Sequence, residues 1–206
     1  MSAESSEKII NALFDLLTSH GEGDYFGESI SQLDHSLQAA HLAKQAGAAD
    51  TTVAAALLHD CGQIIPLEII HGQLGVQQRG IDVDMILPSG ESVGRHEHDH
   101  IGASYLASLG FPSTVCELVH DHVVAKRYLT AVEDGYYENL SKTSKNSLQF
   151  QGGPFSPEQI HEFEQDHLFA EKVAMRRFDD AAKIVGAEVP NLEAYRPVLE
   201  RALSHH

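Results

Sequence analysis

The residues best suited to chemistry are adjacent, His59 and Asp60, at the end of the run Ala54-Ala55-Ala56-Leu57-Leu58. That run is apolar on every side and reads as a buried helix. Gly62 stands where a helix-stopping glycine is expected. Imidazole and carboxylate both bind metals, and here they reach the inner end of a core helix. Taken alone, such a pair is more often a satisfied core histidine beside a helix-end aspartate. Other residues shift the balance. His35 lies on an earlier helical stretch and the carboxylate Asp179 on a late one. His98 and His122 lie near the edges of two further predicted helices. Metal sites in helical bundles draw their ligands from several helices facing one core. Imidazole with carboxylate, without Cys, suits iron, manganese or zinc. An aspartate can bridge two cations, and two cations need this larger set.

Cations follow the same spacing. Lys126 lies four residues after His122, and Arg176 three before Asp179, so each shares a helix face with a candidate ligand. Gly102, four after His98, lets another helix come close. The plainer reading makes Lys126-Arg127 and Arg176-Arg177 solvated faces. His20, His41, His71, His96, His100, His120, His161 and His167 read as surface or supporting residues. His96 and His100 flank His98, and spacing does not choose among the three.

The elements that must position these residues are helical. Residues 7–19 carry an apolar stripe ended by Gly21. Ser31-Gln32-Leu33-Asp34 resembles a capping box that opens a helix containing His35 and His41. Asp50 suits the N-cap of the central helix. Residues 63–97 are broken by glycines and Pro88, and a long irregular insertion is more often functional than idle. Helical patterning returns at His98, again from Pro112 to His122, and on through Ala131. Gln151-Gly152-Gly153-Pro154 is a turn, and Ser156-Pro157-Glu158-Gln159 a helix start. A long amphipathic stretch then runs through Phe163, Phe169, Val173 and Phe178, and residues 191–204 make a last helix. No stretch reads convincingly as a strand, so the expected class is all-α.

At 206 residues the chain fits one domain with a sizeable core. Thirty acidic against fourteen basic residues give a net charge of −16, a surface that repels nucleic acid and anionic membranes. A small anionic substrate therefore needs a local basic pocket. No apolar stretch has the length of a membrane span, and the N-terminus lacks the pattern of a signal peptide. Two cysteines, Cys61 and Cys116, make no disulfide framework, so a reducing cytoplasm is expected.

His35, His59-Asp60 and Asp179 resemble the H…HD…D pattern of the HD-domain superfamily. More of the chain resembles one branch of it, the mixed-valence diiron phosphonate oxygenases of the PhnZ type. The likeness lies in Tyr25-Phe26-Gly27-Glu28, in Gln32-Leu33-Asp34-His35-Ser36-Leu37-Gln38 and in His98 with Gly102-Ala103. It continues in His122-Val123-Val124-Ala125-Lys126-Arg127-Tyr128-Leu129 and in Gln151-Gly152-Gly153-Pro154. It spans about residues 7–183.

The resemblance implies an HD-type helical bundle in which His35, His59, Asp60, His98, His122 and Asp179 hold two irons, as Fe(II)/Fe(III), with Asp60 bridging. It implies that Tyr25 caps one iron until substrate displaces it, with Glu28 moving in concert. It also implies that Lys126, Ser144, Ser147 and Arg176 bind a phosphonate, and that O2 is the co-substrate. Gln63 departs from the family, which has a histidine there, near the substrate. The expected reaction is oxidative cleavage of (R)-1-hydroxy-2-(trimethylammonio)ethylphosphonate to glycine betaine and phosphate. The alternative substrate is 2-amino-1-hydroxyethylphosphonate, giving glycine. Rival classes are a metal-dependent phosphohydrolase, the commoner task of His-Asp domains, and a non-catalytic nucleotide-binding module.

Overall fold

The computed structural model describes residues 3–23, 29–72 and 83–204. Helix α1 (Ala3–His20) is followed by α2 (Gln32–Gln45) and the central α3 (Asp50–Leu58). Two short helices, α4 (Cys61–Ile64) and α5 (Leu67–Gly72), lead to a small antiparallel hairpin of β1 (Asp84–Ile86) and β2 (Ser92–Arg95). Then come α6 (His98–Ser108), α7 (Ser113–His120), α8 (His122–Val132), α9 (Tyr136–Asn139) and α10 (Lys142–Phe150). Helices α11 (Pro157–Glu164) and α12 (Phe169–Ala181) precede a 3₁₀ turn, Leu192–Tyr195, and α13 (Arg196–Ser204). This is an all-α bundle with one small two-stranded sheet.

Its axis is α3. Every residue from Thr52 to Leu58 is buried, as an all-round apolar helix must be. Helices α2, α7, α12 and α13 pack around it. A second, smaller core gathers Tyr128, Phe163 and Phe169, and the Phe169 ring meets the other two edge to face. The capping boxes expected at Ser31 and Ser156 are both present. None of the described helices is long and apolar enough to cross a membrane.

Several expectations are corrected. The central helix ends at Leu58, one residue before His59, and Gly62 does not stop it. A Cβ on Gly62 would stand 1.9 Å from the His98 carbonyl oxygen and 2.8 Å from the Gly102 amide nitrogen. Gly62 is there for the close approach of α4 to α6, where Gly102 faces it. Asp50 is not a side-chain cap; its carboxylate accepts two bonds from Arg201, at 2.6 and 3.0 Å. The region read as irregular contains the β1–β2 hairpin. The long amphipathic stretch is two helices, broken where Asp166 accepts from the Leu168 amide at 2.7 Å and pairs with the buried Lys172 at 2.6 Å. The last helix begins with a 3₁₀ turn.

Candidate metal centre

Each functional side chain sits where a helix starts, stops or comes close to a neighbour. Asp60 and Asp121 occupy the sparsely used bridge region, at φ −99° and −94°, between paired helices. The first break presents His59 and Asp60, and the second starts α8 with His122. His98 opens α6 directly after Glu97, the one described non-glycine residue with positive φ, at 54°. That strained turn is held by Arg95. Its guanidinium donates to the Gly62 and Ile65 carbonyls at 2.7 and 2.8 Å, while its own carbonyl accepts from the His98 ring at 3.0 Å. His35 and Asp179 come from α2 and α12. Gln38 of α2 ties that helix to the segment just after α12, exchanging two 3.0 Å bonds with the Ile184 backbone.

All six expected ligand candidates meet at one buried place. They form two groups, His35, His59 and Asp179, and Asp60, His98 and His122. In the first, His35 Nε2 lies 3.0 Å from His59 Nε2 and 3.3 Å from Asp179 Oδ1, with His59 to Asp179 at 3.8 Å. In the second, His98 Nε2 lies 3.2 Å from His122 Nε2 and 3.2 Å from Asp60 Oδ1, with His122 to Asp60 at 3.6 Å. The other Asp60 oxygen, Oδ2, turns to the first group, 3.5 Å from His59 and 3.8 Å from His35. Two donors each about 2.1 Å from one cation lie at most about 4.2 Å apart. Every distance above falls inside that limit.

The proton inventory also fits cations. The Nδ1 atoms of His35, His59, His98 and His122 each contact a backbone carbonyl, of Ala182, Ala56, Arg95 and Val119, at 2.6–3.0 Å. A carbonyl only accepts, so each Nδ1 carries a hydrogen, and in its neutral form each ring presents its Nε2 lone pair inward. With the rings neutral, four lone pairs and two carboxylates converge, an arrangement that suits cations. Burial, then the neighbouring His59 and His98, hold the His122 pKa well below its ordinary value. Burial acts to raise Asp60, but His59 and His98 outweigh it and keep the carboxyl ionised. Burial likewise opposes ionisation of Asp179, and Arg176 outweighs it. Of the three neighbouring histidines, His98 is buried, His96 half-buried and His100 exposed.

A cavity of about 40 Å³ opens onto this centre, small enough to suit a compact anion. The expected substrate residues Gln63, Lys126, Ser144, Ser147 and Arg176 all line it. Lys126 Nζ donates to Ser147 Oγ at 3.1 Å. Burial, then the nearby Arg176, push its pKa down to about 7. Arg176 is largely committed. It donates to Asp179 at 2.6 Å, to the Tyr136 hydroxyl at 3.1 Å, and to Asp180. Gln63 Oε1 accepts from the Arg95 amide at 2.7 Å, packed against Gly94.

Sequence reasoning missed Lys183, which lines the cavity and donates to Ser144 at 3.3 Å. It lies four residues past Asp179, the spacing that singled out Lys126. Helix α12 has ended by then, so the strap tied down by Gln38 brings it in. Tyr25 and Glu28 lie outside the described residues.

Comparison with known proteins agrees with this architecture. The HD domain model matches residues 33–151. A hydroxymethylphosphonate dioxygenase of Gimesia maris is 38% identical over 196 residues, 95% of this chain and 89% of that protein. An uncharacterised protein of Acanthamoeba polyphaga mimivirus is 32% identical over 95% of this chain and 82% of its own length. The [1-hydroxy-2-(trimethylamino)ethyl]phosphonate dioxygenase (glycine-betaine-forming) of Leisingera caerulea is 31% identical over 97% of this chain and 91% of its own. With its paired histidines, its shared aspartate and these relatives along nearly its whole length, the chain belongs to the HD-domain family, in the branch of the PhnZ-like oxygenases.

Proposed function

We propose that this chain is an O2-dependent dioxygenase that cleaves the carbon–phosphorus bond of a small 1-hydroxyphosphonate, yielding a carboxylic acid and phosphate. The observation that carries the reading is a two-group histidine–carboxylate centre opening onto a cavity walled by Lys126, Lys183 and Arg176. Two relatives named as hydroxyphosphonate dioxygenases support it.

In this reading His35, His59 and Asp179 would hold one iron, His98 and His122 the other, and Asp60, which faces both groups, would serve both. Two irons, one Fe(II) and one Fe(III), supply the redox chemistry and Lewis acidity that O2 chemistry at a C–H bond needs. Lys126 and Lys183, each beside a serine of α10, bind the phosphonate with charge-assisted hydrogen bonds. Arg176 keeps Asp179 oriented and adds positive charge to the same wall. Tyr25 and Glu28, on the resemblance, guard the centre before substrate arrives.

The substituent on the carbinol carbon is read from Gln63. Its side-chain oxygen is partly committed, accepting from the Arg95 amide. A primary ammonium needs several acceptors, and Gln63 offers only what the Arg95 amide leaves of its oxygen, which weakens the case for the 2-amino substrate. A trimethylammonium group wants aromatic faces, and among the described residues the cavity offers only the His98 and His122 rings. Hydroxymethylphosphonate, with no amine, fits this lining best. Its products are formate and phosphate, with both oxygen atoms of O2 retained in them. The trimethylated substrate is the second reading, favoured by the absence of a histidine at Gln63. Comparing kcat/KM for the two decides. The first reading expects at least tenfold preference for hydroxymethylphosphonate, about 1.4 kcal/mol in the transition state. The reverse preference assigns the enzyme to the trimethylated compound.

A further inference from the structure

Gln32 is the first residue of α2 and 4% exposed. It lies three residues before His35, so the two share a helix face. Its side-chain nitrogen stands 3.5 Å from Asp60 Oδ2, the outer limit of a hydrogen bond. Its Oε1 is buried without a partner. A flipped amide would set Oε1 against the Asp60 carboxylate, two acceptors face to face, so the nitrogen belongs on Asp60. A buried amide that is weakly paired at one end and unpaired at the other is a poor packing residue. Leu or Met would fill the space without an orphaned oxygen. The helix does not need it either, since Ser31 and Asp34 already complete the capping box. The unmet need lies toward the centre, where the carboxylate that faces both histidine groups has one oxygen within its reach.

We propose that Gln32 is a positioning residue of the centre, its amide steering Asp60 Oδ2 toward His35 and His59 while its carbonyl accepts from a water held beside the cations. The role rests on the two-cation reading. The Gln32 amide is a donor within reach of Oδ2, which His35 and His59 face with their Nε2 atoms. Losing the amide frees Asp60 to rotate, which weakens the sharing of its two oxygens and hence the binding of two cations together. It also removes a buried orphan, so the metal-free fold does not suffer. The two effects have opposite signs, and a merely structural glutamine does not produce that combination.

The test uses chelator-treated full-length protein, wild type and Gln32→Met, titrated anaerobically with Co(II) and followed by its visible absorption. Thermal midpoints of both metal-free proteins are measured alongside. The expected result is two cobalts in the wild type. In Gln32→Met the second cobalt binds at least tenfold more weakly, with a metal-free midpoint equal to or above wild type. Equal affinity for both cobalts in the two proteins overturns the role while leaving the two-cation reading standing. Weaker cobalt binding accompanied by a lower metal-free midpoint also overturns it, as ordinary damage to the fold. A wild type that takes a single cobalt overturns the two-cation reading itself, and this role with it.

Discussion

At the scale of residues, the candidate centre is a problem of acceptors. Six side chains bring lone pairs inward, and the backbone fixes the tautomer of every imidazole. Lys126 shows how the same burial shapes the anion wall. Its pKa of about 7 lies below the 10.5 of an unperturbed lysine. Between those values the unfolded chain binds this proton and the folded chain does not, so Lys126 makes stability rise with pH across that window. Phosphonate binding has the opposite need, because only the ammonium attracts the anion. KM for a hydroxyphosphonate is therefore expected to rise as pH passes about 7, and Lys126→Arg, charged throughout, to flatten that rise. Lys126→Ala is expected to lose roughly 1.5–3 kcal/mol of binding, the scale of a charge-assisted hydrogen bond. Steady-state kinetics across pH checks both, and unchanged KM in Lys126→Ala returns the residue to a packing role. Lys126 was legible from its spacing to His122. Lys183 was not, because no helical register connects it to Asp179 and only the tertiary strap through Gln38 does.

At the scale of elements, the sequence signalled helices where local chemistry decides, and misread them where tertiary contacts do. Ser31 and Ser156 cap as expected, since a capping box is a local hydrogen-bond exchange. Asp50 is not the cap, because the helix starts one residue early, with Ala49 at the N-cap, and the Asp50 carboxylate pairs with Arg201, distant in sequence. The hairpin before His98 was hidden by its shortness and its glycines. Gly62 looked like a stop signal, yet its need for a bare Cα arises only when α6 arrives. Gly62→Ala is expected to drive the His98 carbonyl away, as a Cβ at 1.9 Å cannot be accommodated without movement. The cost of such overpacking is typically about 1–3 kcal/mol, and because His98 moves, iron content falls with it. Denaturant unfolding and iron analysis of the purified variant check this. An unchanged unfolding midpoint with full iron would show that α4 and α6 do not require the close approach.

At the scale of the whole molecule, an acidic protein of net charge −16 keeps three cations beside its buried centre. Such a surface discourages large polyanions, while a small recessed basic wall still accepts a compact one. The same His-Asp architecture serves metal-dependent phosphohydrolases, and the two chemistries differ in their need for oxygen. The most direct measurement is therefore phosphate release from hydroxymethylphosphonate by iron-reconstituted protein, with O2 consumption recorded in the same vessel. One O2 is expected to be consumed for each phosphate formed in air, and no phosphate is expected when oxygen is excluded. Phosphate release that continues at the same rate without oxygen would contradict O2-dependent cleavage.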